Sequence, residues 1–180
     1  ENQIITDLLS LVKMNRTGQT MNIQQVNIND LLEQILKRLK PIAEKKNVEM
    51  VMESFRPVSA EIDETKFTLA VSNLVENAIK YNRENGSVTV SAIRKKNEVV
   101  LTVSDTGNGI DEAFREQIFE PFFRVDKSRS RELGGVGLGL AMVREVVRVH
   151  DGTIEVYTNK HSGTTFEVKM GIGTDFEKAV

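Results

Sequence analysis

The sequence has 180 residues, 39% of them apolar, with 24 basic and 26 acidic side chains giving a net charge of −2. That length suits one core with a short appendage, and the balanced charge gives no reason to expect nucleic acid or an anionic membrane surface as partner. The absence of cysteine excludes a disulfide framework and a thiolate metal site, and two histidines, His150 and His161, leave no multi-histidine centre.

No apolar run reaches the roughly 20 residues that span a bilayer, and no signal-peptide pattern opens the chain. Because Glu1 already stands at the head of a helical pattern, the sequence reads as a piece of a longer protein. Ile4, Ile5, Leu8, Leu9, Leu11 and Val12 recur at helical spacing to about Met14. The polar break Asn15-Arg16-Thr17-Gly18-Gln19 then marks a linker, so residues 1–19 form one segment and 20–172 the main domain. A strand is expected over Met21–Ile28 and a helix from about Asn29 to Lys46, with Pro41 kinking or breaking it late. Val48–Met52 and Ala60–Ile62 alternate as strands, and Asp63 is placed to cap a second helix.

That second helix carries Asn73-Leu74-Val75-Glu76-Asn77-Ala78-Ile79-Lys80-Tyr81-Asn82. At about 100° per residue, Asn73, Asn77 and Lys80 fall within an arc of about 60°, beside an apolar face of Phe67, Ala70, Leu74 and Ala78. Two amides and an ammonium on one face suit a magnesium ion that arrives already carrying phosphates, because hard cations take oxygen ligands. An ordinary solvated stripe would have the same appearance. Ser87–Ile93 and Val99–Val103 read as an antiparallel hairpin turning at Lys95–Glu98. A short helix near Asp111–Phe119 follows, then a long aperiodic loop from Pro121 to Gly134. A helix with Met142, Val143, Val146, Val147 and Val149 leads to closing strands Thr153–Tyr157 and Thr164–Met170. Gly171–Val180 looks loosely held, with 173–180 as the tail. Hairpins in the second half and helices between the strands predict an α+β two-layer sandwich, a mixed sheet with helices on one face.

Asp105 ends a buried-looking strand, where an ionised carboxylate needs a donor. Either an adenine amino group supplies it, with Gly107 and Gly109 leaving room, or the amides of Thr106 and Gly107 do so in a simple turn. Gly135, Gly137 and Gly139 end where a helix begins, so free N–H groups and the positive end of the dipole converge there on a place suited to phosphate or to a hinge. No strand precedes these glycines, which excludes a dinucleotide fold, and no Gly-Lys-Ser/Thr follows, which excludes a Walker loop. Arg124, Lys127, Arg129 and Arg131 make the intervening loop basic, and Phe119, Phe122 and Phe123 anchor its start. His150 and His161 are assigned surface or capping roles.

In this order, the stretches resemble the ATP-binding catalytic domain of bacterial sensor histidine kinases, in the superfamily that includes gyrase, heat-shock chaperones and mismatch-repair ATPases. Asn73–Tyr81 is similar to the N box, Asp105–Ile110 to the first glycine box, Phe119–Arg124 to the F box and Gly135–Leu140 to the second glycine box. Gly163-Thr164-Thr165 is similar to the final glycine-threonine element. The resemblance covers about Met21–Met170 and implies the Bergerat-type ATP-binding fold.

The resemblance further implies ATP and Mg2+ as cofactors, with Asn77 ligating the metal with help from Asn73, and Lys80 and Tyr81 contacting phosphates and sugar. Asp105 would take the adenine amino group with Gly107, Gly109 and Ile110 around it. Phe119 would border the site, Arg124 would reach the terminal phosphate, Gly135, Val136, Gly137, Leu138, Gly139 and Leu140 would shape a lid, and Thr165 would complete the pocket. Val136 and Asn82 depart from the hydroxyl residues common at those positions. Gyrase-like members carry a glutamate where this chain has Asn73, and an amide cannot activate water, so weak hydrolysis is expected; Glu76 lies about 60° round the helix from Asn73. The helix Ile4–Met14 resembles the end of the second helix of a phosphotransfer domain, whose acceptor histidine and its base lie outside this chain. The implied partners are that phosphotransfer domain and, through the full kinase, a response regulator. The expected location is cytoplasmic, and the expected state a monomer or weak dimer. A regulatory module like the serine-phosphorylating anti-sigma factors, or a degenerate domain that binds a partner without nucleotide, are the alternatives.

Overall fold

A computed structural model describes residues 5–6, 8–9, 21–54, 56–124 and 139–173. The linker at 15–19 and the tail at 174–180 lie outside the described residues. Ile5, Thr6, Leu8 and Leu9 are helical and exposed.

Strand β1 (Ile23–Asn27) gives way to helix α1 (Ile28–Lys45) at Asn27, whose side chain accepts the Asp30 amide at 3.2 Å. Such a cap satisfies one of the first-turn amides that a helix leaves unbonded. The helix runs unbroken past Pro41, against the expected break. Pro41 lies on the exposed face one turn from the end, so water can take the carbonyl that its missing N–H leaves free. Strands β2 (Glu49–Met52) and β3 (Ser59–Asp63) follow, and Asp63 caps α2 (Glu64–Lys80) by accepting the Lys66 amide at 3.1 Å. At the other end of α2 the Lys46 ammonium meets the Lys80 carbonyl, a cation at the negative end of the helix dipole.

The hairpin is β4 (Ser87–Lys95) with β5 (Glu98–Asp105), turning through Lys96 in the left-handed region at φ 54°. In place of the expected short helix, 3-10 turns form at Glu112–Phe114 and Gln117–Phe119. The Asp111 side chain closes the first on the Ala113 amide at 3.0 Å, and the separated turns carry Phe114, Ile118 and Phe119 to the core. Helix α3 (Gly139–Val149) and strands β6 (Thr153–Thr158) and β7 (Thr164–Gly171) complete the described elements. Gly171 and Ile172, expected to be loosely held, are not: Gly171 ends β7, and Ile172 is buried, its carbonyl and amide bonding Glu61 and Asn97 at 3.0 Å each.

β1 and β3 pair as a small antiparallel sheet, while the main sheet has the order β2-β4-β5-β7-β6. Only β2–β4 is parallel within it, so the sheet is mixed. Alternation puts Val88, Val90, Leu101, Val103, Phe166 and Val168 on one face, under the apolar sides of α1, α2 and α3. Ser91, Thr102, Ser104 and Thr165 occupy the other, where Ser104 and Thr165 hydroxyls pair at 2.6 Å. The result is the expected two-layer α+β sandwich, with helices on one face. Asp105 therefore stands at the end of a central strand, next to the end of α2.

Candidate functional site

The stripe on α2 is built as the helical period requires: Asn73, Asn77 and Lys80 are half-buried, while Leu74, Val75, Ala78 and Ile79 go into the core. Asn73 Nδ2 donates to the Leu69 carbonyl one turn back, at 3.1 Å. Its Oδ1 faces the first residue of α3, where a Cβ on Gly139 would come within 3.3 Å. The side-chain amide of Asn77 and the ammonium of Lys80 make no hydrogen bond among the described residues, and Tyr81 is exposed. The helix thus presents one amide committed to its own backbone and two polar groups available to something else.

Asp105 is 9% exposed, and its Oδ1 accepts the amides of Gly107 at 2.9 Å and Thr164 at 3.1 Å. Burial pushes its carboxyl up from the ordinary 3.8, and those two amides oppose the shift without cancelling it. Oδ2 accepts nothing from the described residues. Both readings of Asp105 thus share one side chain: Oδ1 closes the turn, though on Thr164 rather than Thr106, and Oδ2 is left for an external donor.

The glycines around it are filled from within the chain. A Cβ on Gly107 would lie 2.5 Å from the Tyr81 carbonyl oxygen, and one on Gly109, at φ +74°, would lie 2.8 Å from that of Ser162. One on Gly163 would sit 2.0 Å from the Asp105 carbonyl oxygen. These glycines let the end of α2 and the β6–β7 turn close on Asp105, so the room they make is taken up by backbone.

Two residues that composition and spacing do not mark hold this arrangement. Buried Asn82 donates to the Ser87 carbonyl at 2.9 Å and accepts from the Arg83 amide and the Thr106 hydroxyl at 2.9 and 3.0 Å. It clips the end of α2 to the strand end that bears Asp105. Asn159 Nδ2 donates to the Asp105 carbonyl at 2.8 Å, and its Oδ1 accepts the amides of His161 and Gly163 at 3.0 Å each. An asparagine four residues before a glycine in a strand-to-strand turn is the signal that could have found it.

Other expected site residues are placed differently. Thr165 is buried on the opposite sheet face from the Asp105 side chain, bonded to Ser104, and it is the Thr164 amide that reaches Asp105. Phe119 is a core residue, edge-on to Phe166, with the Arg144 guanidinium 6.0 Å from its ring centroid. Ile110 and Leu140 are half-buried against the same core. Arg124 is half-buried at the end of a described stretch, whereas Lys127, Arg129, Arg131, Gly135, Val136, Gly137 and Leu138 lie outside the described residues.

His150 does more than sit on the surface. Its Nε2 accepts the Asp63 amide at 3.0 Å, its Nδ1 lies 2.7 Å from the Val146 carbonyl, and its ring is edge-on to Phe67. Those two bonds require a neutral ring protonated at Nδ1, a bridge from the end of α3 to the start of α2. His161 is exposed in the β6–β7 turn, as expected.

Chemically, the arrangement offers a carboxylate oxygen of a largely buried aspartate with no donor among the described residues, and on α2 an amide and an ammonium likewise without partners there. No group of three His, Cys, Asp or Glu side chains that could hold a metal occurs among the described residues. A cation here would therefore bring oxygen ligands of its own, as a magnesium ion on phosphates does.

Residues 62–173 match the family model of histidine kinase-, DNA gyrase B- and HSP90-like ATPases. The sensor-like histidine kinase SenX3 of Mycobacterium tuberculosis is 33% identical over 167 residues, 93% of this chain and 41% of the relative. The chain thus spans about two fifths of that curated relative's length. Among solved structures, full-length ShkA in complex with AMPPNP superimposes with a TM-score of 0.85 and 26% identity, covering 96% of this chain and 36% of that one. The catalytic domain of the histidine kinase ThkA gives a TM-score of 0.76 and 27% identity, covering 84% and 97%. This chain belongs to the family of histidine kinase-, DNA gyrase B- and HSP90-like ATPases, in its branch of ATP-binding catalytic domains of bacterial sensor histidine kinases.

Proposed function

We propose that this domain holds ATP with Mg2+ and donates the γ-phosphoryl group to a histidine on a phosphotransfer domain outside this chain, with a response regulator receiving the phosphoryl group in turn. The observation that carries the reading is the divided carboxylate of Asp105: one oxygen fixed by two amides, the other without a donor among the described residues and open to one from outside. An adenine amino group is the donor that oxygen lacks. Asn77, with its amide unengaged, supplies an oxygen to the metal, Asn73 supports it, and Lys80 neutralises phosphate charge. Tyr81 contacts the sugar side of the nucleotide, and Arg124 reaches toward the terminal phosphate.

In the transfer a histidine nitrogen attacks the γ-phosphorus, the bond to the β-phosphate oxygen breaks and ADP leaves. Such reactions depend mainly on positioning and charge neutralisation, which this domain's residues provide. Asn73, donating to Leu69, can neither accept a proton from water nor turn freely, which supports weak hydrolysis and reserves the phosphoryl group for the histidine. No helix among the described residues is long and apolar enough to cross a membrane; a cytoplasmic location, where ATP is supplied, is part of the proposal. The test is to mix the chain with γ-labelled ATP and the phosphotransfer domain of the same kinase. Acid-labile, alkali-stable label on that domain is expected, and acid-stable label or none would contradict the reading.

A further inference from the structure

Asn159 uses every hydrogen bond an amide side chain can make. Its Oδ1 accepts two amides of its own turn, those of His161 and Gly163, at 3.0 Å each. Its Nδ2 donates to the Asp105 carbonyl at 2.8 Å and to Thr165 Oγ1 at 3.3 Å. Two lone pairs and two N–H groups are the full complement of an asparagine. Two of them shape the β6–β7 turn, the Thr165 bond ties it to the start of β7, and the remaining one fastens it to the strand end that bears Asp105. The same turn presses Gly163 against the Asp105 backbone, and its next residue, Thr164, supplies an amide to Asp105 Oδ1. The direction in which the free Oδ2 points is thereby set by the turn, and the turn's position by Asn159.

We propose that Asn159 is a positioning residue for base recognition: by tying the β6–β7 turn to Asp105, it aims the carboxylate so that the site distinguishes an amino-bearing purine from one bearing a carbonyl. This rests on the reading of Asp105 as the group that takes the adenine amino group. The chemistry is demanding of this one side chain. Aspartate would keep the two acceptors for the turn but put an oxygen against the Asp105 carbonyl in place of a donor. Alanine would give up all four bonds.

The readout that separates aiming from simple support is the ratio of affinities for ATP and ITP, whose base carries a carbonyl where adenine carries the amino group. Calorimetric titration of both nucleotides, with magnesium, is made on the whole chain as parent, Asp105→Asn, Asn159→Asp and Asn159→Ala, each shown by its urea curve to be fully folded under the titration conditions. Any uniform effect of an added charge on the phosphates cancels in the ratio. The expected result is a parent that prefers ATP, a preference lost in Asp105→Asn, and a fall of about tenfold in the ratio in the Asn159 variants, the loss of one such hydrogen bond. If Asp105→Asn loses the preference while both Asn159 variants keep it, or bind both nucleotides equally more weakly, Asn159 merely supports the turn and the inference is wrong. If the parent does not distinguish the two nucleotides, the reading of Asp105 itself fails and takes this inference with it.

Discussion

Placing one methyl group at Gly163 tests the closure around Asp105 at its tightest point. A Cβ there would lie 2.0 Å from the Asp105 carbonyl oxygen and 2.9 Å from its Oδ1. Real Cβ contacts essentially never fall below 3.0 Å, so in Gly163→Ala the turn must retreat by about 1 Å. That retreat carries the Thr164 amide, now 3.1 Å from Oδ1, and Asn159 Nδ2, now 2.8 Å from the carbonyl, out of hydrogen-bond range. Overpacking costs about 1–3 kcal/mol, and each of the two broken hydrogen bonds about the same, which together come to about 3–9 kcal/mol. A domain of ordinary stability, about 5–15 kcal/mol, would survive the lower part of that range with a much reduced urea midpoint. Gly171, at the far end of the same strand, is the control: nothing lies within 4 Å of its Cβ position, so Gly171→Ala should be neutral or slightly stabilising. Urea titrations of both variants with a constant m-value make the comparison. A Gly163→Ala midpoint within about 0.5 kcal/mol of the parent would refute the steric reasoning.

Replacing His150 with alanine strands the buried Asp63 amide and should cost about 1–3 kcal/mol in urea unfolding while leaving the ATP/ITP ratio unchanged. Asn82→Ala should cost a similar amount, lowering the melting temperature by several degrees, since buried Asn82 joins Ser87, Arg83 and Thr106. The two buried aspartates should give opposite pH slopes. At Asp63 burial pushes the carboxyl up, but the amides of Lys66 and Asn22 and the Lys66 ammonium bring it below 3.8, so its contribution is present above 3.8 and lost as pH falls through the lowered value. At Asp105 the raised carboxyl makes the folded chain bind more protons than the unfolded one between 3.8 and its own value, so stability falls as pH rises across that window. Asp105→Asn should therefore unfold at higher urea than the parent at neutral pH, with the gap closing toward pH 3.8, and Asp63→Asn should remove the loss in acid.

The α2 stripe could be read from sequence because the helical period alone decides which residues share a face, and Asn73, Asn77 and Lys80 emerge together. Asp105 could be read because a carboxylate ending an apolar strand demands a partner. What the glycines are for could not, since Gly107 and Gly109 owe their role to the carbonyls of Tyr81 and Ser162, remote in sequence. Thr164 and Thr165 posed a different problem: both carry a hydroxyl, so a period of two offers no mark of which faces Asp105. Pro41 misled because a proline close to a helix end on the solvent side gives up little, whereas the rule about breaking concerns helix interiors. The partner of His150 and the role of Asn159 could not be read because each acts through backbone groups of distant segments, and backbone partners leave no trace in side-chain patterns.

The central claim is that Asp105 and Asn77 address the two ends of one nucleotide. Calorimetric titration of a non-hydrolysable ATP analogue, with and without magnesium, on the parent, Asp105→Asn and Asn77→Ala tests it most directly. The account predicts binding by the parent, a marked weakening of that binding in Asp105→Asn under both conditions, and loss in Asn77→Ala of chiefly the magnesium-dependent part. A parent that does not bind, or an Asp105→Asn variant that binds as the parent does, would contradict it.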